Sequence, residues 1–204
     1  MRNWLLGVAF FFLCGGYASA APSLQGATGL IAIPSADVLG SGQAAAGYYH
    51  IGPHDHGVLT FHAAAGMEVG AAYSEQGPGG MRLQAKVSLL PEAMLTPAVA
   101  LGVEDITGEQ QRSWYAVASK SLPDGIRLHI GAGNGRFDGL FAGVEKRLKR
   151  VSVLPGKTFP AAALMAEYDG SSMNVGIRFM VNPAVKIDTG WRDHHTYFGL
   201  SYTY

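Results

Sequence analysis

Three groups of residues in this chain have the types and spacing to do chemistry. The first is the histidine cluster His50, His54, His56 and His62. His54-x-His56, with Asp55 between, offers two imidazoles and a carboxylate, a donor set for a metal held on a loop. Nothing in the spacing fixes their mutual geometry and no cysteine joins them. They read as a solvated loop, and no metal or other cofactor is expected. The second group is His194-His195, a base that would need a serine nucleophile from another loop, as in a lipid-modifying hydrolase. No Gly-x-Ser-x-Gly elbow accompanies it, so no catalytic residue is assigned and an enzyme stays a remote alternative. The third is the basic run Lys146-Arg147-Leu-Lys149-Arg150, able to hold phosphate groups but more simply read as a solvated strand end.

Chemistry of this kind needs elements to position it, and the elements are strands. Met81, Leu83, Ala85, Val87 and Leu89 alternate with Arg82, Gln84, Lys86 and Ser88. Ile126, Leu128, Ile130 and Ala132 alternate with Arg127, His129 and Gly131. The same period of two recurs from Met173 to Phe179 and from Val185 to Trp191. Twelve such segments are expected: 43–51, 58–65, 67–74, 81–90, 97–105, 112–120, 125–133, 139–147, 160–168, 172–181, 184–192 and 196–204. Turn signals separate them, among them Gly52-Pro-His-Asp-His-Gly57, Gly77-Pro-Gly-Gly80, Asn134-Gly135, Asp169-Gly170 and Asn182-Pro183. At about nine residues, the typical segment suits a tilted membrane-spanning strand. No amphipathic helical pattern interrupts the series, which argues against an α/β fold.

Alternation alone serves two architectures. In a soluble sandwich the apolar face points inward; in a membrane barrel it points to lipid and the polar face lines the lumen. The front of the chain favours the membrane. Arg2 precedes the apolar run Trp4–Leu13, and Ala18-Ser19-Ala20 offers a cleavage site, so residues 1–20 read as a signal peptide with Ala21 as the mature N-terminus. That run is shorter than the about 20 residues a spanning helix needs, and no second one follows. Leu13 before Cys14 argues against a lipid anchor, and the mature chain then holds no cysteine. Lys and Arg number 15, as do Asp and Glu, so nothing points to a nucleic acid partner. Hydrophobic residues make up 48% and glycines number 28, a composition that suits strands burying one face in lipid.

The end of the chain points the same way. Phe198, Leu200, Tyr202 and Tyr204 alternate with small or polar residues up to an aromatic terminus. Such an edge in a soluble domain invites aggregation, whereas a closed barrel pairs the last strand with the first. Chains ending this way resemble bacterial outer-membrane barrels, in which this end is the assembly signal. Tyr48, Tyr49, Trp114, Tyr115, Trp191, Tyr202 and Tyr204 would form the interfacial girdles.

One further set of residues matches a family. Gly29-Leu-Ile-Ala-Ile-Pro-Ser-Ala36, followed by Leu39, Gly42 and Gly47-Tyr48, resembles the N-terminal signature of YjbH-type outer-membrane proteins. Pro97–Asp105 with Gly108, Val117–Lys120, Phe141–Glu145 and Ala166–Asp169 extend the likeness over most of the mature chain. The motif residues are Gly29, Leu30, Ile31, Pro34, Ser35 and Ala36. The resemblance implies an outer-membrane β-barrel linked to export of an exopolysaccharide or capsule. Members are often longer and often lipid-anchored, and the resemblance transfers no enzymatic residue.

The expected fold is therefore all-β: an antiparallel up-and-down transmembrane barrel of about twelve strands over residues 43–204. Residues 21–42 form a short N-terminal segment, periplasmic or plugging. Arg82, Lys86, Glu104, Arg127, Glu145, Arg147, Glu167, Arg178, Lys186, Asp188 and Arg192 would line the lumen, seven basic against four acidic. That ring suits an anionic glycan or solute; the simpler reading is that ion pairs and hydrogen bonds among these residues close the bore, with the basic excess as the argument against it. The expected partners are outer-membrane lipid, the barrel-assembly machinery and, for the export role, polysaccharide-export proteins. A periplasmic β-sandwich binding module is the main alternative.

Overall fold

The computed structural model describes residues 20–75, 80–148, 152–154, 157–158 and 160–204. The signal segment with Cys14, most of the Gly77-Pro-Gly-Gly80 turn, and Lys149 and Arg150 of the basic run lie outside the described residues.

The strands are β1 (Ala44–Ile51), β2 (His54–Ala64), β3 (Met67–Ser74), β4 (Gly80–Leu90), β5 (Ala98–Glu104), β6 (Ser113–Ser121), β7 (Ile126–Gly133), β8 (Gly139–Leu148), β9 (Ser152–Leu154), β10 (Lys157–Thr158), β11 (Ala161–Tyr168), β12 (Met173–Met180), β13 (Val185–Arg192) and β14 (His195–Thr203). All but β9 and β10 form one closed antiparallel barrel of twelve strands in chain order. β14 closes it against β1, with Ala45 opposite Thr203 and Ile51 opposite Tyr197. Closure gives every barrel strand two neighbours, so no row of backbone polar groups is left open to lipid. This excludes the sandwich.

An even strand number puts both chain ends at one end of the barrel, here called the terminal end. The opposite end is the far end. β9 and β10 form a small hairpin in the connection from β8 to β11, on the terminal side. That connection is as long as the sequence suggests, and the strand count around it stands.

Outward positions carry the apolar side chains. Leu83, Val87 and Leu128 are exposed, as are Ile130, Val175, Phe198 and Leu200, forming the apolar outer surface. Ile177 and Ile187 face the same way, half-buried between strands. Among the expected girdle aromatics, Tyr48, Trp114, Trp191, Tyr202 and Tyr204 are exposed. Tyr49 and Tyr115 are not: both point inward and are buried. Their rings lie over inward glycines of the next strand, and a β carbon at Gly199 would fall 2.0 Å from Tyr49. An aromatic ring covering the gap left by a cross-strand glycine secures register, here across the closing seam.

The expected Gly52–Gly57 loop is also shorter than the sequence suggests. The turn is Gly52-Pro53, with Gly52 at φ 57, and β2 starts at His54. His54, Asp55 and His56 pair with Ile51, His50 and Tyr49, so ladder bonds outcompete solvation of the loop. His56 faces inward and is buried, while His50 lies outside against Asp55 at 2.7 Å.

Residues 20–43 do not lie outside the barrel. They run through the lumen, folded on themselves by bridges from Pro22 to Thr28 and from Gly29 to Pro34. Leu24, Leu30, Ile31, Ile33 and Ala36 are buried against Tyr49, Val58, Tyr115, Phe137, Phe141, Met165 and Tyr197. The hydrophobic core of this protein is thus a plug inside a barrel. Phe137, from the short turn Gly135–Phe137, stacks on Phe141 at 4.5 Å and meets Tyr115 edge-on at 5.3 Å, walling one side.

Candidate functional site

The site is the contact between plug and inner wall. The segment Gly29–Ile33 makes a tight reversal in which Leu30 N–H bonds the Ile33 carbonyl at 3.0 Å. Gly29 is required there, because a β carbon would lie 2.2 Å from the Ile33 oxygen. The reversal leaves amides on one side and carbonyls on the other. Glu167 on β11 accepts from the N–H groups of Ile31 at 3.0 Å, Ala32 at 2.7 Å and Ile33 at 3.3 Å, and from Asn174 at 2.9 Å. Arg178 on β12 donates to the Gly29 and Leu30 carbonyls at 3.1 and 3.0 Å. It is held by Asp188 on β13 at 2.7 and 3.1 Å. Carboxylate meets donors and guanidinium meets acceptors, so plug backbone solvates both buried charges, and Arg178 is also paired with Asp188.

A second clasp holds Thr28. Glu68 on β3 accepts from Thr28 N–H at 2.9 Å and from Leu39 N–H at 3.0 Å. Lys86 on β4 lies 3.0 Å from Glu68 and donates to the Thr28 and Ser35 carbonyls at 2.8 and 3.1 Å. Both side chains are almost wholly buried. Arg136 donates to the Ala32 carbonyl at 2.8 Å, pairs with Glu104, and lies 4.0 Å over the Phe137 ring.

Toward the terminal end, Arg127 on β7 forks onto Asp37 at 2.6 and 2.8 Å and reaches Glu92 at 3.2 Å. Burial alone would raise the Asp37 carboxyl, but the Arg127 charge and its hydrogen bonds hold it below the ordinary carboxylate value. Ser119 Oγ accepts the Ala36 N–H and lies 2.8 Å from His129 Nδ1. This Ser–His pair is fully buried under the plug, with the serine oxygen occupied by backbone, so it fastens Ala36. Tyr49 and Thr60 bind the Pro22 and Gly26 carbonyls at 2.9 and 2.7 Å.

The inner-face charges expected from alternation thus fall into three places. Lys86, Glu104, Arg127, Glu167, Arg178 and Asp188 surround the plug, as the bonds above record. Glu145 and Arg147 pair with each other at 2.5 Å near the terminal end, where buried Lys186 meets the Ala20 carbonyl at 3.3 Å. Arg82 and Arg192 stand at the far end, and the Nε of each is buried without a hydrogen-bond partner among the described residues. Sequence reasoning missed Glu68, Asp37, Arg136, Ser119 and Asn174. Glu68 shares its face with Gly70, Ala72 and Ser74, so no polar stripe marks the inner side of β3. Asp37 and Arg136 lie outside the barrel strands, where period two does not apply.

The basic excess has a counterweight in Glu68 and Asp37, and the lumen is closed by ion pairs and plug. The described residues contain no group of three or more His, Cys, Asp or Glu arranged to hold a metal. Asp193 and His194 form the β13–β14 turn, His195 opens β14 opposite Arg192, and His195 Nδ1 bonds the Asp193 carbonyl at 2.8 Å.

The architecture has known counterparts. A solved "KdgM porin" superposes with a TM-score of 0.50 at 12% identity, covering 79% of this chain and 98% of that one. A second structure, "KdgM porin in complex with disordered oligogalacturonate", aligns with the same TM-score and coverage at 10% identity. None of the curated proteins matches the chain. The family model YjbH, described as "Exopolysaccharide biosynthesis protein YbjH", matches residues 22–159, from the plug to past the end of β8. A closed twelve-stranded barrel with an apolar outer face, carrying this family's sequence from plug to wall, is an outer-membrane β-barrel, and the chain belongs to the YjbH exopolysaccharide biosynthesis family.

Proposed function

We propose that this protein is a non-catalytic, self-plugged outer-membrane barrel serving exopolysaccharide or capsule export. The observation that carries this reading is the N-terminal segment locked in the lumen by Glu68, Lys86, Glu167 and Arg178. A bore filled this way is shut at rest. Passage of a glycan requires the plug to shift, and its anchors are buried charge-assisted bonds, each costly to break. Work for that shift would come from polysaccharide-export proteins acting at the periplasmic mouth, where residue 20 lies beside Lys186.

The acidic glycan is the substrate class, for two reasons. The family is one of exopolysaccharide biosynthesis, and the fold neighbour KdgM is solved with oligogalacturonate. Residues 1–20 direct the chain across the inner membrane. Phe198, Leu200, Tyr202 and Tyr204 then present the last strand to the barrel-assembly machinery, and the outer face meets lipid.

The test is conductance in planar bilayers beside surface polysaccharide in cells. The full mature barrel is expected to show no steady conductance, and a variant lacking residues 21–42 to open a stable pore. Removing the gene is expected to deplete surface polysaccharide. Steady conductance by the full barrel, or unchanged polysaccharide in its absence, would sink the reading.

A further inference from the structure

The lumen of this barrel is not filled to its far end. Under the β5–β6 loop a pocket of about 190 Å³ remains, reaching from buried Gln84 up to exposed Gln110 and Gln111. That is below the range of pockets for drug-sized ligands and suits one sugar ring.

Its wall is chemically uneven. Glu104 is spent on Arg136, and Asp105 is spent on the loop, accepting the Glu109 and Gln110 N–H groups at 2.9 and 2.7 Å. Arg82 has no such partner. Among the described residues it donates to the Gln110 amide oxygen at 3.0 Å, its Nε is buried and unpartnered, and no carboxylate lies within ion-pair distance of it. Gln84 beside it is only 5% exposed, and neither its amide oxygen nor its nitrogen has a hydrogen-bond partner among the described residues. Gln84 is wedged between Gly26 of the plug and Gly70 of β3, where a β carbon on either glycine would fall 2.1 or 2.8 Å from its amide nitrogen.

A buried amide with both ends unmet costs free energy until something meets it. The groups on offer are the Arg82 guanidinium and the Gln84 amide, with the amides of Gln25 and Gln111 beside them, each amide able to donate and accept. A carboxylate matches the first; vicinal hydroxyls, which also donate and accept, match the rest. We infer that this far-mouth pocket binds one acidic sugar residue of a glycan, with its carboxylate on Arg82 and its hydroxyls on Gln84 and its amide neighbours.

This deepens the reading of an acidic glycan substrate and rests on it, but the test is independent of whether the barrel ever opens. The mature protein, refolded in detergent micelles, is titrated calorimetrically with a glucuronate trisaccharide, the matching glucose trisaccharide and inorganic phosphate. The acidic trisaccharide is expected to bind more tightly than the neutral one, with phosphate not competing. Arg82→Gln is expected to weaken acidic binding by about tenfold or more, and Gln84→Leu to weaken both sugars. Arg147→Gln, at the other mouth, should leave binding unchanged. Heat-modifiability on a gel checks that each variant is folded; among the described residues neither Arg82 nor Gln84 hydrogen-bonds the plug. Equal affinity for acidic and neutral sugar, binding of phosphate alone, or full binding by folded Arg82→Gln overturns the inference. So does the absence of any saccharide binding. Failure of the export reading would instead appear in conductance or in surface polysaccharide.

Discussion

The middle of the lumen and its far mouth are lined by the same alternation and do opposite things. In the middle, Glu167 takes backbone amides of Ile31, Ala32 and Ile33, and Arg178 divides itself between two plug carbonyls and Asp188. At the mouth, the Nε of Arg82 and of Arg192 and both polar atoms of the Gln84 amide are buried with no hydrogen-bond partner among the described residues. A charged residue on the inner face of a barrel is structural or available according to what stands opposite it. Here the plug decides, because it supplies backbone partners in the middle and, where Gln25 and Gly26 border the pocket, no hydrogen bond to Arg82 or Gln84.

The largest expected effect tests that difference directly. Glu167→Ala leaves the plug amides without an acceptor in a dry site, with an expected loss of about 3–5 kcal/mol in denaturant unfolding from micelles. Arg178→Ala should cost a similar amount, since Asp188 is then buried alone. Arg82→Ala at the mouth should stay within about 0.5 kcal/mol. If the mouth variant is as damaging as the central ones, the distinction between the two regions fails.

A smaller effect is expected from the wall that makes room for the plug. The β carbon of an alanine at position 143 would fall 2.7 Å from Ile33 and 2.9 Å from Leu30. Gly143→Ala should therefore overpack the contact, at about 1–3 kcal/mol. Unchanged unfolding would mean the plug sits loosely.

Acid should loosen the terminal end. The Asp37 carboxyl is held below its ordinary value against the opposing effect of burial, through Arg127. A depressed carboxylate contributes stability that is full above the unfolded value and is lost as pH falls through the folded one. Hydrogen exchange of the amides from residue 36 to residue 40 should therefore quicken on going from about pH 7 to about pH 3, relative to the intrinsic rate. Asp37→Asn should quicken it already at neutral pH and flatten the dependence. A pH response left intact in that variant would assign it to another group.

The smallest effect concerns the outer wall. Cysteines at Leu83, Val87 and Leu128 should leave stability nearly unchanged and react with lipophilic but not aqueous maleimides in membranes. Ready labelling from water would place the apolar face away from lipid.

Much of this molecule was legible from period two alone. Met81 to Leu90 and Ile126 to Gly133 announce their two faces residue by residue, and turn signals bracket them, because pleat and turn geometry are local properties. Closure was also legible, since an alternating strand at an aromatic chain end needs a partner. The sequence alone shows the Gly29–Ala36 motif but not its place. Its amides and carbonyls find Glu167 and Arg178 only after the barrel closes, across separations of 134 to 149 positions. Tyr49 and Tyr115 turned inward for a related reason: their rings follow the pleat, and glycines on neighbouring strands leave the space. Which inner charges are spent and which are left over is a property of the plugged lumen. No local pattern encodes it, because each pair joins groups that only tertiary packing brings within hydrogen-bond reach.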